Sequence, residues 1–158
     1  VVVVGGGPAG ATAADDLAAV HALAFSREAA WRVAEFWDLL HQPATLARGI
    51  RDNETLVAFI LVQLVEGEAE ILTLATAPQA QRRGHAGTLV ANLEQELRPS
   101  GLQKWLLDVA ADNAPALGFY KKLGFQTDSV RRNYYKRLEG GSIDAILMSK
   151  TVGGQIST

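Results

Sequence analysis

The sequence of 158 residues contains no cysteine, one methionine and five prolines. Without cysteine this sequence offers no disulfide, no thiolate nucleophile and no sulfur ligand for a metal, and we expect a reducing, cytoplasmic location. Long apolar runs are also missing, because the longest one, residues 56–62, is far short of the roughly 20 residues that cross a bilayer. No basic segment precedes the four initial valines, so we expect neither a secretory leader nor a membrane partner.

The rest of the composition is that of a globular domain, with 48% apolar and 20% charged residues and a net charge of −2. This charge gives no general attraction to nucleic acid. We expect one domain over residues 12–150, after a glycine-rich start (1–11) and before a flexible polar tail (151–158). Residues 52–70 hold five carboxylates and no Lys or Arg, whereas residues 121–137 hold six Lys or Arg and one Asp. These stretches predict solvated faces or, for the second, a basic rim around a polyanionic ligand.

Hydrophobic periodicity and turn residues predict an α/β domain with a mixed sheet, in the order α-α-β-β-β-α-β-α-β-β. Pro43 ends the second helix, and Gly124 stands where helix C-termini favour glycine. Helices are expected over residues 12–25, 27–41, 84–98 and 113–123, and strands over 46–51, 55–65, 69–77, 104–110, 125–135 and 143–150.

A glycine-containing segment, Gln81-Arg82-Arg83-Gly84-His85-Ala86, joins strand 69–77 to helix 84–98. A glycine at such a junction allows consecutive backbone N–H groups to point into one concavity and bind an anion. The positive end of the helix dipole strengthens this attraction. The segment predicts a phosphate or pyrophosphate site, with an ordinary strand-to-helix turn as the alternative.

The glycine-rich start is a competing motif, because Gly5-Gly6-Gly7-Pro8-Ala9-Gly10 after four valines matches the Gly-x-Gly-x-x-Gly dinucleotide fingerprint. That fold needs a second parallel strand ending in an acidic residue about 20 residues later, whereas residues 25–38 have helical periodicity. The alternatives to flavin or nicotinamide binding are a first sheet strand with a loose glycine loop, or an added segment foreign to the domain.

Four motifs in order resemble GNAT-type N-acetyltransferases, and the resemblance covers residues 12–150. The first is Gln-x-x-Gly-x-Ala at residues 81–86, after a strand that ends in Ala77-Pro78. The others are Asp108-Val-Ala-Ala-Asp-Asn113 followed by Ala116-Leu-Gly-Phe-Tyr120-Lys-Lys-Leu-Gly124-Phe125, then Arg131-Arg-Asn-Tyr-Tyr135, and then Asp144-Ala-Ile-Leu-Met148. The last two resemble the subfamily that acetylates the N-terminal alanine of a small-subunit ribosomal protein.

The resemblance implies a mixed, mostly antiparallel sheet, splayed between two parallel strands and flanked by about four helices. It implies acetyl-CoA as co-substrate and no metal, with pantetheine in the opening of the sheet beside Leu74, Ala75 and Thr76. Asn113 would bond the pantetheine arm, or act only as a helix N-cap. The pyrophosphate would lie against Arg82, Arg83, Gly84, His85, Ala86 and Gly87.

Two residues correspond to the family's catalytic pair. Tyr120 would be the general acid for the departing thiolate, with a core aromatic as the alternative. Asp108 would be the general base, where the subfamily has Glu, with an ordinary acidic residue at the end of a strand as the alternative. Asp is one methylene shorter, which leaves open whether it acts directly or through a water. His21, His41 and His85 lack metal-ligand spacing and are expected to be structural or surface residues.

The implied reaction is acetyl transfer from acetyl-CoA to a protein N-terminal amine, with alanine of a ribosomal protein as the expected acceptor, by direct attack in a ternary complex. A small-molecule amine or polyamine is the alternative acceptor, and a non-catalytic CoA- or dinucleotide-binding module is the alternative of another class.

Overall fold

The computed structural model describes residues 2–4, 10–25, 30–137 and 140–153. The helices are α1 (Gly10–Ala24), α2 (Val33–Leu40), α3 (His85–Leu97) and α4 (Ala114–Lys122). The strands are β1 (Val2–Val4), β2 (Thr45–Asp52), β3 (Thr55–Val65), β4 (Glu68–Thr76), β5 (Lys104–Ala110), β6 (Gln126–Lys136) and β7 (Ser142–Thr151). None of the helices in these ranges is long and apolar enough to cross a membrane.

The strands form one seven-stranded sheet in the order β1-β2-β3-β4-β5-β7-β6. Within the described residues, each neighbouring pair is antiparallel except β4 and β5, which are parallel. The predicted mixed and mostly antiparallel sheet with four flanking helices is therefore confirmed. The parallel pair arises because α3 lies between β4 and β5 along the chain. This helix carries the chain back to the end of the sheet at which β4 began, so that β5 runs in the same direction as β4.

Two apolar clusters cover the two faces of the sheet. On one face, α1 and α2 pack against β2, β3 and β4 through a cluster that includes Leu17, Phe36 and Phe59. On the other face, α3 and α4 pack through a cluster that includes Leu93 and Trp105. Each large side chain that is fully buried contributes about 1.5–3 kcal/mol, so these clusters fix α1 and α2 on one side of the sheet and α3 and α4 on the other.

The start of the chain does not follow the dinucleotide-binding pattern. Residues Val2–Val4 pair with β2 as an antiparallel strand, whereas that pattern requires a parallel β-α-β unit. Residues 5–9 lie outside the described part of the chain. Because α1 begins at Gly10, Thr12 lies inside this helix, and the predicted helix start at residue 12 is wrong by two residues.

Two other predicted boundaries are corrected. The second helix begins at Val33 and not near residue 27, because Glu35 Oε1 accepts the backbone N–H of Arg32 at 3.0 Å and caps the helix there. The predicted tail begins too early, since β7 continues to Thr151 and Val152 is buried with its N–H donated to Gln103 O at 2.8 Å. Residues 154–158 of that tail lie outside the described residues, as do residues 27–29 of the predicted helix.

Candidate active site

An opening in the sheet separates β4 from β5. In the described residues these strands pair only at 68–70 with 104–106, near their amino ends. Beyond this point β4 continues to Thr76 and β5 to Ala110 with no pairing between them. The free edges of two parallel strands expose backbone N–H and C=O groups, which an extended ligand can bond as an added strand. Leu74, Ala75 and Thr76 lie on this free stretch of β4.

A bulge in β4 lies next to this opening. Thr73 pairs with Leu61 while Ile71 pairs with Val62, so Leu72 is an extra residue in β4. A bulge changes which way the following backbone and side chains point. Thr73 is thereby turned towards α1, where its Oγ1 lies 3.1 Å from His21 Nε2.

The segment between β4 and α3 has the conformation of an anion site. Arg82 has φ +69 and Gly84 has φ +76, and a Cβ placed on Gly84 would meet nothing within 4 Å. Gly84 is the N-cap of α3 and provides no side-chain cap. The first N–H groups of α3, from His85, Ala86 and Gly87 onwards, are therefore available to an anion at the positive end of the helix. Arg82 and Arg83 are exposed beside them, and Arg83 is 3.7 Å from the Asp52 carboxylate.

Asn113 is the N-cap of α4, and its Oδ1 accepts the Ala116 N–H at 3.2 Å. The sequence left open whether Asn113 bonds pantetheine or only caps the helix, and the structure shows the cap. The amide nitrogen and the second lone pair of Oδ1 are left to bond a ligand while the cap is in place.

Tyr120 lies in α4 with 8% of its surface exposed. Its ring packs edge-on against Phe119 and Phe125, with centroids 5.1 Å and 5.3 Å away. Burial raises the pKa of Tyr120, because the low-polarity surroundings disfavour the phenolate. The Tyr120 ring is therefore part of the core, and its hydroxyl stays protonated at neutral pH. The two alternatives for Tyr120, a core aromatic and a general acid, are compatible.

Asp108 lies on β5 and is half-buried. Its neighbours Leu107 and Val109 belong to the cluster under α3 and α4, so by strand alternation Asp108 points to the other face. There the Tyr135 hydroxyl donates a hydrogen bond to Asp108 Oδ1. Burial and the negative charge of Asp108 raise the pKa of Glu70, which places two carboxylates near the point where β4 and β5 separate.

A groove of about 390 Å³ lies beside α3 and begins at Gly87. Its other lining residues are Val90, Ala91, Asn92, Glu94, Gln95, Arg98, Leu123 and Lys150. Neither Asp108 nor Tyr120 lines it, so we place no acceptor chemistry there.

Sequence reasoning missed two residues near Asp108. Tyr135 belongs to a motif that the sequence analysis used only for family resemblance, and Glu70 was included only in an acidic stretch. The pairing of strands could have placed Glu70, since it faces Leu106, two residues before Asp108. His21 is buried, His41 is exposed and His85 begins α3. No cluster of three or more metal-binding side chains occurs in the portion of the chain that the structure describes.

Comparison with known proteins agrees with this geometry. The model of the acetyltransferase (GNAT) family matches residues 14–125. The [ribosomal protein bS18]-alanine N-acetyltransferase of Escherichia coli K12 is 37% identical over 100 residues, which are 63% of this chain and 67% of that protein.

Two solved structures are similar over nearly the whole chain. The crystal structure of the ribosomal-protein-S18-alanine N-acetyltransferase from Escherichia coli has a TM-score of 0.82 and 27% identity, and covers 99% of both chains. An aminoglycoside 6'-N-acetyltransferase complexed with coenzyme A has a TM-score of 0.77 at 20% identity, covers 99% of this chain and 100% of that one, and shares the fold. Because the family match extends over most of the chain and the sheet opens between β4 and β5, this protein belongs to the GNAT family and is an acetyl-CoA-dependent N-acetyltransferase.

Proposed function

We propose that this enzyme transfers the acetyl group of acetyl-CoA to the α-amino group of a protein N-terminus, with the N-terminal alanine of a ribosomal protein as its acceptor. The observation that carries the proposal is that Asp108 lies on β5 at the opening in the sheet, on the side opposite to the one on which Tyr120 of α4 packs. The similarity to the Escherichia coli enzyme that is named for alanine of bS18 supports the choice of acceptor.

The residues around the opening fit acetyl-CoA, which supplies the acetyl group as a thioester when it is bound. The uncapped start of α3 and the left-handed Gly84 suit the pyrophosphate, together with Arg82, Arg83, His85, Ala86 and Gly87. Along the free edge of β4, the backbone of Leu74, Ala75 and Thr76 suits the pantetheine amides and the thioester oxygen.

Asp108 is proposed as the general base. An α-amino group has an ordinary pKa of about 7.7–8.0 and a lysine side chain of about 10.4, so an N-terminus costs about 3.4 kcal/mol less to deprotonate at neutral pH. This difference favours an N-terminal acceptor for a base as short as Asp. The carboxylate takes the proton from the amine as its nitrogen attacks the acetyl carbonyl carbon.

Tyr120 is proposed as the general acid. Its burial keeps the phenol protonated, so the hydroxyl can give a hydrogen bond and then a proton to the thiolate that leaves when the C–S bond breaks. Direct transfer in a ternary complex is proposed because the 158 residues contain no cysteine to carry the acetyl group.

A small amine or polyamine is the second candidate acceptor, and Glu70 is the feature that favours it. This half-buried carboxylate lies near Asp108 and would attract a cationic amine. Three of the other acidic residues of 52–70 lie elsewhere, since Asp52 and Glu54 are at the β2–β3 turn and Glu66 is at the β3–β4 turn. The fourth, Glu68, begins β4 and pairs with Lys104. The acidic stretch as a whole therefore supports this alternative little.

The test is mass spectrometry after incubation with acetyl-CoA. The acceptors are a peptide that begins with alanine, the same peptide with a blocked N-terminus and an internal lysine, spermidine, and free lysine. We expect one acetyl group on the free N-terminus and none on the blocked peptide. Acetylation of spermidine or free lysine, with an unmodified alanine peptide, would establish the second candidate instead.

A further inference from the structure

The outermost strand, β6, is bulged in a way that turns one tyrosine inwards. Arg131 pairs with Ala145 of β7 and Tyr135 pairs with Ile143, so residues 132–134 stand opposite Asp144 alone. The bulge is fastened at Asn133, which has φ +53 and donates its N–H to Asp144 Oδ1 at 2.8 Å. Extra residues in a strand redirect the side chains that follow.

Tyr135 is the side chain that this bulge redirects. Its hydroxyl passes over β7 and donates to Asp108 Oδ1 on β5, 27 residues away along the chain. Within the described residues, Asp108 Oδ2 makes no hydrogen bond. The phenol is half-buried, and burial, together with the hydrogen bond and charge of Asp108, raises the pKa of Tyr135. This phenol therefore keeps its proton and acts as a fixed donor.

The other groups that act on this pair are few. Glu70 on β4 adds a negative charge near Asp108, and Tyr134 is the neighbour of Tyr135, with ring centroids 5.1 Å apart. A nearby negative charge favours the protonated form of a carboxyl, whereas a hydrogen bond to the carboxylate favours the ionised form.

We propose that Tyr135 is a positioning residue for the general base. By holding Oδ1 it fixes the rotamer of Asp108, so that Oδ2 takes the proton of the acceptor amine while the phenol retains its own. The inference rests on the proposed role of Asp108 in the reaction. In this proposal Tyr135, on the edge strand β6, orients the catalytic side chain that Asp108 provides from β5.

Tyr135→Phe tests the proposal, with Tyr134→Phe as the matched control on the neighbouring, exposed tyrosine. We expect the acidic limb of the kcat/KM profile to move by about one pH unit to higher pH in Tyr135→Phe, because the ionised form loses a hydrogen bond. Tyr134→Phe should leave this limb in place. The acceptor is whichever amine the wild-type enzyme acetylates, so failure of the alanine peptide alone contradicts the proposed substrate and not this inference.

A second measurement needs no turnover. Carbon-13 NMR titration of the aspartate carboxyl groups, with the Asp108 signal assigned from Asp108→Asn, should show the same displacement in Tyr135→Phe only. If the Asp108 signal titrated as in the wild type in Tyr135→Phe, or were displaced equally in Tyr134→Phe, the result would contradict the hydrogen bond from Tyr135 to Asp108. A displaced NMR titration with an unmoved acidic limb would also overturn the proposal, because Asp108 would then be held by Tyr135 without serving as the base.

Discussion

Asp108, on β5, and Tyr120, on α4, lie on opposite sides of the sheet. Tyr120 packs in the cluster that contains Leu107 and Val109, whereas Asp108 alternates to the side from which Tyr135 reaches it. The proposed proton acceptor and the proposed proton donor therefore lie on different sides of the sheet. This arrangement separates the two proton transfers and allows each to be tested by itself.

The first prediction concerns the proposed base. Asp108→Asn should lower kcat/KM for an alanine-starting peptide by about 10²–10⁴-fold near pH 6.5. The defect should shrink at pH 9, because an α-amino group with a pKa near 8 is then mostly neutral without help. The measurement is a pH–rate profile, with Asp108→Glu as the variant expected to keep the activity. An equal loss at both pH values would remove Asp108 from proton transfer.

The second prediction concerns the proposed acid. Tyr120→Phe keeps the ring and its packing against Phe119 and Phe125 but removes the proton. We expect kcat to fall by about 10²–10⁴-fold while the affinity for acetyl-CoA, measured by calorimetry, stays nearly constant. Tyr134→Phe serves as the control. A near-normal kcat for Tyr120→Phe at every pH would contradict the role.

The third prediction concerns the anion site at the start of α3. Gly84→Asp should weaken acetyl-CoA binding by about 100-fold, or about 2.7 kcal/mol, since it puts a carboxylate and backbone strain where the pyrophosphate is expected. Gly101→Asp is a matched control, because Gly101 also has a left-handed φ and open space but follows the opposite end of α3. Both variants should lose stability, and only Gly84→Asp should lose affinity by calorimetry. Comparable affinities would mean that the pyrophosphate binds elsewhere.

The fourth prediction concerns a buried histidine. The Trp31 N–H donates to His21 Nδ1 at 3.1 Å, so the neutral ring carries its proton on Nε2 and donates it to Thr73. Burial lowers the pKa of His21 to about 4, against a smaller opposing effect of Glu35. In the unfolded chain the ordinary pKa is about 6.5, so the unfolded state binds the proton first and folding stability falls as the pH drops.

The size and window of that effect follow from the two pKa values. The free energy of unfolding should lose up to about 3 kcal/mol between pH 6.5 and pH 4, with no loss from this group above that range. Urea unfolding across this range should give a shallower pH dependence for His21→Gln than for the wild type. His41→Gln, on an exposed histidine, should keep the wild-type slope. If His21→Gln keeps it too, the imidazole is not held neutral by burial.

The local elements were predictable because short-range signals specify them. Helix α3 was expected over residues 84–98 and spans His85–Leu97, since an apolar stripe and the flanking Gly84 and Pro99 mark its ends. The β3–β4 hairpin was also expected, and its two-residue turn at Glu66 and Gly67 has positive φ at both positions. By contrast, the start of α2 depends on one capping contact, between Arg32 and Glu35. The spacing of apolar residues carries no information about this contact.

The sequence by itself determined the α/β class, the order of elements from α1 onwards, and the motifs that resemble an acetyltransferase, because these depend on residues that are close along the chain. The resemblance implied an opening between two parallel strands, but tertiary structure alone decided that β4 and β5 separate after residue 70 and that Tyr135 meets Asp108. Both facts depend on strand order and on bulges, which bring together residues that lie far apart in sequence. Local propensities do not predict the contact between Tyr135 and Asp108, because the packing of the whole sheet brings these two side chains together.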